Sequence, residues 1–189
     1  QLQINGQLVG IPLMYDGLAL YYNKDILQTA NEEPPSNWGE VRTLADKLTV
    51  RTNNEIERGG IALGNTSNVE HYADILGLLI YQNGGDPANP LSGEVRDAIK
   101  YYTSFAKTNP VYSTSLPSST VAFARGEVAM MLAPSWRVHE IKQLNPELNF
   151  GTAPVPKLGD NDNGWASYWA EGVSKKSSHQ AESWQLLKY

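Results

Sequence analysis

The stretch GIPLMYDGLALYYNKDIL, Gly10 to Leu27, holds two apolar runs separated by a lone carboxylate. Val9 to Met14 is the first run, interrupted by Pro12, and Leu18 to Tyr22 is the second, closed by the turn-forming Asn23-Lys24-Asp25. Both read as strands. A proline donates no ladder hydrogen bond, so Pro12 suits an edge strand or a strand end. Tyr15, Asp16 and Gly17 lie between the runs as a polar, flexible tripeptide that interrupts what would otherwise be one long strand. The arrangement predicts a crossing between two bodies, with a carboxylate and an aromatic ring facing the gap.

Downstream, helices and strands alternate. Asn37 and Glu40 have capping-box spacing, and Trp38, Val41, Leu44, Ala45 and Leu48 form the inner face of the helix that follows. Gly59 to Leu63 reads as a short strand, and Val69 to Gln82 as a helix stopped by Asn83-Gly84-Gly85. Glu94 to Lys107 reads as a helix burying Val95, Ala98, Ile99, Tyr102 and Phe105. A short helix over Thr120 to Arg125 leads through Gly126 into the strand Val128 to Leu132. Ser135 is the expected cap of a helix over Trp136 to Leu144, which Pro146 ends. Phe150 to Val155 and Ser167 to Val173 are the last strands, and an amphipathic helix from Ser178 carries Ala181, Trp184 and Leu187 on one face. Trp38 and Trp184 are both assigned to packing.

Several of these segments resemble the extracellular solute-binding proteins of ABC importers, in the large carbohydrate-binding family that includes maltose- and multiple-sugar-binding proteins. The resemblance runs through the Gly10-Ile11-Pro12 strand, Leu20-Tyr21-Tyr22-Asn23-Lys24-Asp25, Pro34-Pro35 with Trp38, and Leu44 to Leu48. It continues in Asn83-Gly84-Gly85, Ala122 to Met130, Trp136, and Gly151 to Pro156. The order and spacing of these motifs carry it more than any one of them. It implies an α/β fold: a periplasmic-binding-protein-like type II lobe with a central mixed sheet flanked by helices and two hinge strands. It divides the chain into a first-lobe strand and hinge (1–14), a second, C-terminal lobe (15–170), and a second hinge strand with the start of a returning helix (171–189). On this reading the chain is a fragment, and Leu2 to Val9 and the last helix expose apolar faces whose partners lie in a first lobe. Gly10 to Met14 is expected beside Glu171 to Ser174 as paired hinge strands.

Composition narrows the function classes. A chain of 189 residues with 41% apolar content forms one large domain or two small ones with a sizeable core. Its net charge of -5 argues against nucleic acid or an anionic membrane as partner. No apolar run approaches the roughly 20 residues that span a bilayer. Without cysteine there is neither a disulfide nor a thiolate metal site, and the compartment stays open. The HExxH, GxSxG, Walker A and GxGxxG patterns are all missing. His71, His139 and His179 each lack a second histidine at i+3 or i+4; Asp74 and Glu182 follow two of them at i+3, which falls short of a zinc site. Each reads as a surface or partly buried histidine. The segment Gly159 to Gly164 resembles a calcium loop in its Asp/Asn spacing but lacks the later bidentate Glu. No metal and no cofactor is predicted.

The aromatic population exceeds what a core needs. Tyr15, Tyr72, Trp136, Tyr168 and Trp169 fall near loops, helix starts or the second hinge. Singly, each is accounted for as a core or rim side chain. As a group they suit a sugar site, which requires flat platforms for C–H faces and a few charged acceptors for hydroxyls. Asp16 can accept two hydroxyl hydrogen bonds, and charge-assisted bonds are the stronger kind. The resemblance adds weight to Asp16 as the polar contact after the first hinge strand, to Trp136 as a stacking aromatic after the Val128 strand, and to Trp169 before the second hinge. Tyr72 corresponds loosely. Glu171 departs from the small residues common at its position and is either a ligand contact or a hinge residue bonded to backbone.

The resulting expectation is a non-enzymatic, extracytoplasmic binding protein, periplasmic or lipid-anchored, monomeric, with a carbohydrate as ligand and the membrane subunits of an ABC permease as partners. It would close by a hinge around the sugar. The competing reading is a glycoside-active enzyme using Asp16 and Glu171 as a carboxylate pair, which needs the carboxyls about 5–5.5 Å apart for retention or about 6.5–9.5 Å for inversion. A purely structural or adhesive domain is a third reading, and it leaves exposed aromatics unexplained.

Overall fold

The computed structural model describes residues 2–189. Two compact units emerge, one made of the residues up to Gly17 together with Ala166–Tyr189, the other of Leu18–Trp165. In chain order the strands are β1 (Gln3–Ile4), β2 (Gln7–Leu8), β3 (Ile11–Asn23), β4 (Val50–Thr52), β5 (Glu55–Ile61), β6 (Val128–Pro134), β7 (Phe150–Ala153) and β8 (Ala166–Glu171). The helices are α1 (Lys24–Ala30), α2 (Trp38–Leu48), α3 (Tyr72–Gln82), α4 (Gly93–Lys107), α5 (Ser119–Ala124), α6 (Arg137–Leu144) and α7 (Gln180–Lys188).

The Leu18–Trp165 unit is built on a mixed sheet in the order β4-β5-β6-β3-β7. Every residue of β6 is buried, as expected of an almost wholly apolar strand paired parallel to β5 and covered on both faces. The far half of β3 runs antiparallel to β6 on one side and β7 on the other, with Tyr21 opposite Met131 and Thr152. Tyr21 is buried, stacks on Phe150 at 6.1 Å between centroids and meets Phe123 edge-on. Helix α2 packs against β5 closely enough that a Cβ on Gly60 would lie 2.0 Å from the Ala45 carbonyl oxygen. Buried Gln82 ties the layers together: its carbonyl oxygen accepts from the Trp38 indole at 2.8 Å, and its amide donates to the carbonyls of Pro156 and Asn163.

The smaller unit holds the β1–β2 hairpin, the near half of β3 paired antiparallel with β8, and α7. Asn5 and Gly6, both at positive φ, make the hairpin turn. Ile4, Leu8 and Val9 are exposed, and α7 buries none of its residues. Trp184 is half-buried instead of packed away.

The α/β class, the mixed sheet and the α2 face agree with the sequence reading; Asn37 accepts from the Glu40 N–H as its spacing requires. Several local expectations do not hold. The Tyr15-Asp16-Gly17 tripeptide does not interrupt β3, because β8 supplies ladder partners for all three. The segments expected as hinge strands do pair, but in a shifted register: Ile11 faces Glu171 and Met14 faces Trp169, so Gly172 to Ser174 lie past the strand. Ile99 is 42% exposed. Helix α3 starts at Tyr72, not Val69, and α6 starts at Arg137 with Trp136, not Ser135, in the cap position. The β4–β5 hairpin, turned by Asn53 and Asn54 at positive φ, extends the sheet beyond the short strand expected at Gly59 to Leu63.

Candidate functional site

In the larger unit the candidates gather where α3 and α6 begin. Trp136 sits at the junction between β6 and α6, 43% exposed, and Tyr72 opens α3 at 37% exposed. Both ends are fixed from behind. The Tyr21 hydroxyl donates to the Pro134 carbonyl at 2.9 Å, setting the strand end from which Trp136 projects. The Asn68 amide donates to the carbonyls of Ser113 and Leu116 at 2.9 and 2.8 Å, anchoring the loop that delivers His71 and Tyr72.

His71 joins the two helix starts. Its ring meets Trp136 edge-to-face at 6.0 Å between centroids, and its Nε2 accepts from Arg137 Nε at 3.1 Å. Its Nδ1 lies 3.5 Å from Asp74 Oδ2, while Asp74 Oδ1 accepts from the Trp165 indole at 3.1 Å. Trp165 lies so close on α3 that a Cβ on Gly77 would come within 2.6 Å of its ring. Arg137 is paired with Glu70 at 2.9 Å and with Glu140. Glu70 also accepts from the Thr120 N–H at 2.9 Å and the Ser119 hydroxyl at 3.3 Å.

The charges settle accordingly. Burial pushes the Glu70 carboxyl up, but hydrogen bonding from Thr120, the Arg137 charge and the Ser119 hydroxyl together hold it below the ordinary range. Burial and then the Arg137 charge lower His71, against the opposing pull of Asp74 and Glu70. The arrangement is a partly exposed Trp136 ring packed against His71, which Arg137 and half-buried Asp74 hold in turn.

In the smaller unit the β3–β8 register sorts the other candidates onto two faces. Met14 faces Trp169 and Asp16 faces Ser167, so Asp16 and Trp169 are diagonal neighbours on one face. Tyr15 and Tyr168 are directly opposed on the other face, and a cavity of about 430 Å³ there is lined by Leu2, Leu8, Pro12 and Tyr168. Tyr15 is 79% exposed. Asp16 Oδ1 accepts from the Gly17 N–H at 2.7 Å. Glu171 pairs with Ile11 at the far end of β8; four residues beyond Ser167 at about 3.3 Å each put it roughly 13 Å along the strand from Asp16.

Sequence reasoning thus named Tyr72 and Trp136 but missed Arg137, Glu70 and Trp165 and assigned His71 no role. The His71–Asp74 spacing was the available signal; Arg137 directly after Trp136 was another. Among the described residues there is no group of three His, Asp or Glu side chains placed to hold a metal ion. The loop at 159–164 is braced by Asn161, which donates to the Gln82 carbonyl and accepts from the Asn163 N–H.

The chain is similar to known proteins along its whole length. The maltodextrin-binding protein MdxE of Bacillus subtilis is 25% identical over 97% of the chain and 46% of its own length. The multiple sugar-binding protein of Streptococcus mutans is 24% identical over 99% of the chain and 48% of its own length. An ABC transporter solute-binding protein of Thermotoga lettingae, solved with α-D-tagatose bound, superimposes with a TM-score of 0.78 at 24% identity, covering 100% of this chain and 51% of that one. The chain spans about half the length of the curated relatives it matches. The profile of one family, described as bacterial extracellular solute-binding protein, matches residues 1–189. The chain belongs to the bacterial extracellular solute-binding protein family.

Proposed function

We propose that this chain is the greater part of the sugar-binding half of an ABC importer's receptor. The observation that carries the reading is the exposed Trp136 ring held against His71, with exposed Tyr72 following His71 at the start of α3. An aromatic face kept in water by a braced polar layer is costly unless a ligand covers it, and a sugar's C–H face is the natural cover. Asp74 in the same unit is the proposed hydroxyl acceptor; in the smaller unit, taken by itself, Asp16 and Trp169 are the proposed acceptor and platform. Tyr15, Tyr168 and Glu171 are secondary candidates. Relatives named for maltodextrin and multiple sugars support a carbohydrate as the ligand.

The protein captures its ligand between two lobes, closes by a hinge, and is read in that form by the permease membrane subunits. Only a ligand with higher affinity for the closed state can drive that change. The receptor works as a monomer outside the cytoplasmic membrane, free in the periplasm or tethered by lipid; no helix of the described residues is long and apolar enough to cross a membrane. The glycosidase alternative is the weaker reading: the backbone positions of Asp16 and Glu171 lie roughly 13 Å apart along β8, and the carboxyls of a hydrolytic pair stand about 5–9.5 Å apart.

Calorimetric titration of the full-length protein with maltotriose, mannotriose, tagatose and glucose, alongside a reducing-sugar assay, tests this. Saturable binding of at least one sugar without released reducing ends is the expected outcome. Turnover of any of them, or no binding across the panel and a wider glycan array, contradicts it.

A further inference from the structure

We propose that His71 is a positioning residue for the Trp136 platform, and that a proton on its ring withdraws the support. The effect on sugar affinity rests on the reading above; the coupling between the two rings does not. Arg137 Nε donates to His71 Nε2 at 3.1 Å, so that nitrogen must present a lone pair. The ring hydrogen then belongs on Nδ1, facing Asp74 Oδ2 at 3.5 Å. A second proton has to enter at Nε2. There it meets a guanidinium that keeps its own hydrogens at every working pH, and two donors of like charge face each other. The imidazole must turn or shift.

Trp136 feels that movement in two ways. Its indole packs edge-to-face on the imidazole, with centroids 6.0 Å apart. It also directly precedes Arg137, whose side chain loses one of its anchors. Glu70 and Glu140 keep their hold on Arg137, so the guanidinium is displaced and not released.

The charged groups facing His71 are Asp74 on α3, Glu70 just before it, and Arg137 on α6, with Glu140 behind the arginine. Asp74 and Glu70 favour the extra proton; burial and Arg137 oppose it and prevail. The acceptor form is therefore the neutral-pH form, and the change lies below the ordinary histidine value.

NMR on the ¹⁵N-labelled full-length protein tests the coupling without any sugar, with the Trp136 indole signal assigned through Trp136→Phe. In the wild type that signal should move with pH along the same curve as the His71 ring as the pH is lowered from 8 through that ring's titration. In His71→Gln, whose amide oxygen still accepts from Arg137 and does not titrate, it should stay put. An indole signal that ignores pH in the wild type, or moves identically in His71→Gln, overturns the proposal. A second measurement is calorimetry with maltotriose or mannotriose, whichever binds. Wild-type affinity should fall about fivefold over this range, the loss expected for one ordinary hydrogen bond, and His71→Gln should change less than about twofold. Equal pH dependence in both proteins overturns control of the platform by His71. Failure of every sugar to bind while the rings titrate together refutes the sugar reading and leaves the coupling standing.

Discussion

At the scale of the residue, the site is an argument about which polar groups are spoken for. Arg137 is committed to Glu70, Glu140 and His71, which ties the start of α6 to the loop before α3. The proton balance follows. In the unfolded chain His71 takes up its proton at the ordinary value near 6.5, while the folded ring resists. The unfolded state thus binds more protons below that pH, and stability falls as pH drops through 6.5 toward the lowered folded value. Glu70 has the same sign at lower pH: its stabilisation is fully present above the ordinary 4.5 and is lost as pH falls from there through its own lowered value. Urea unfolding from pH 8 to 3 should therefore show acid loss in two stages, with His71→Gln removing the upper one. On the proposed reading, Asp16→Asn should cost about 1 kcal/mol of sugar affinity, part of a charge-assisted bond, and leave the urea midpoint unchanged. Asp16 could be singled out in the sequence because a lone carboxylate between apolar runs has few structural explanations, and its role belongs to the proposed reading. Arg137 could not be: its bond to His71 spans 66 positions, and no local pattern links the starts of two helices so far apart.

At the scale of the element, legibility depended on whether the deciding contacts were local. Helix α2 is set by its own cap and its own apolar face, and Asn37, Glu40 and Trp38 sit where their spacing puts them. Strand β3 is different. Its polar centre breaks the apolar run, yet β8 pairs through it, with a register shift between Pro12 and Met14. Only the partner strand can show that. Ile99 fits the apolar stripe of α4 by period, but it lies at the edge of the face that meets α3 and stays exposed. Two positions test the packing of elements directly. Gly60→Ala drives a methyl into the Ala45 carbonyl, which is backbone and cannot swing aside. It should cost about 1–3 kcal/mol, read as a lower urea midpoint at constant slope. Trp38→Ala should cost about 3–5 kcal/mol, since it empties a fully buried site and leaves the Gln82 carbonyl oxygen unpaired. Unchanged midpoints in either variant would mean that α2 does not bear on the sheet as described.

At the scale of the whole molecule, the family is established and the two units are each described, while the two-lobe receptor remains the proposed reading. The fold class was legible because the alternation of elements and the motif order are properties of the entire chain. The candidate site was only half legible, since exposed aromatics announce themselves in sequence and the layer that braces them does not. Trp136 is the point where the levels meet: a ring placed by the end of β6, supported by His71, and left open to water. The most direct measurement is the calorimetric affinity of the full-length protein and its Trp136→Ala variant for the sugar that binds best. If the ring is the platform, the variant should keep its fold and lose about 1–3 kcal/mol of binding free energy, taking base–aromatic stacking as the nearest scale. An affinity equal to that of the wild type would contradict the account.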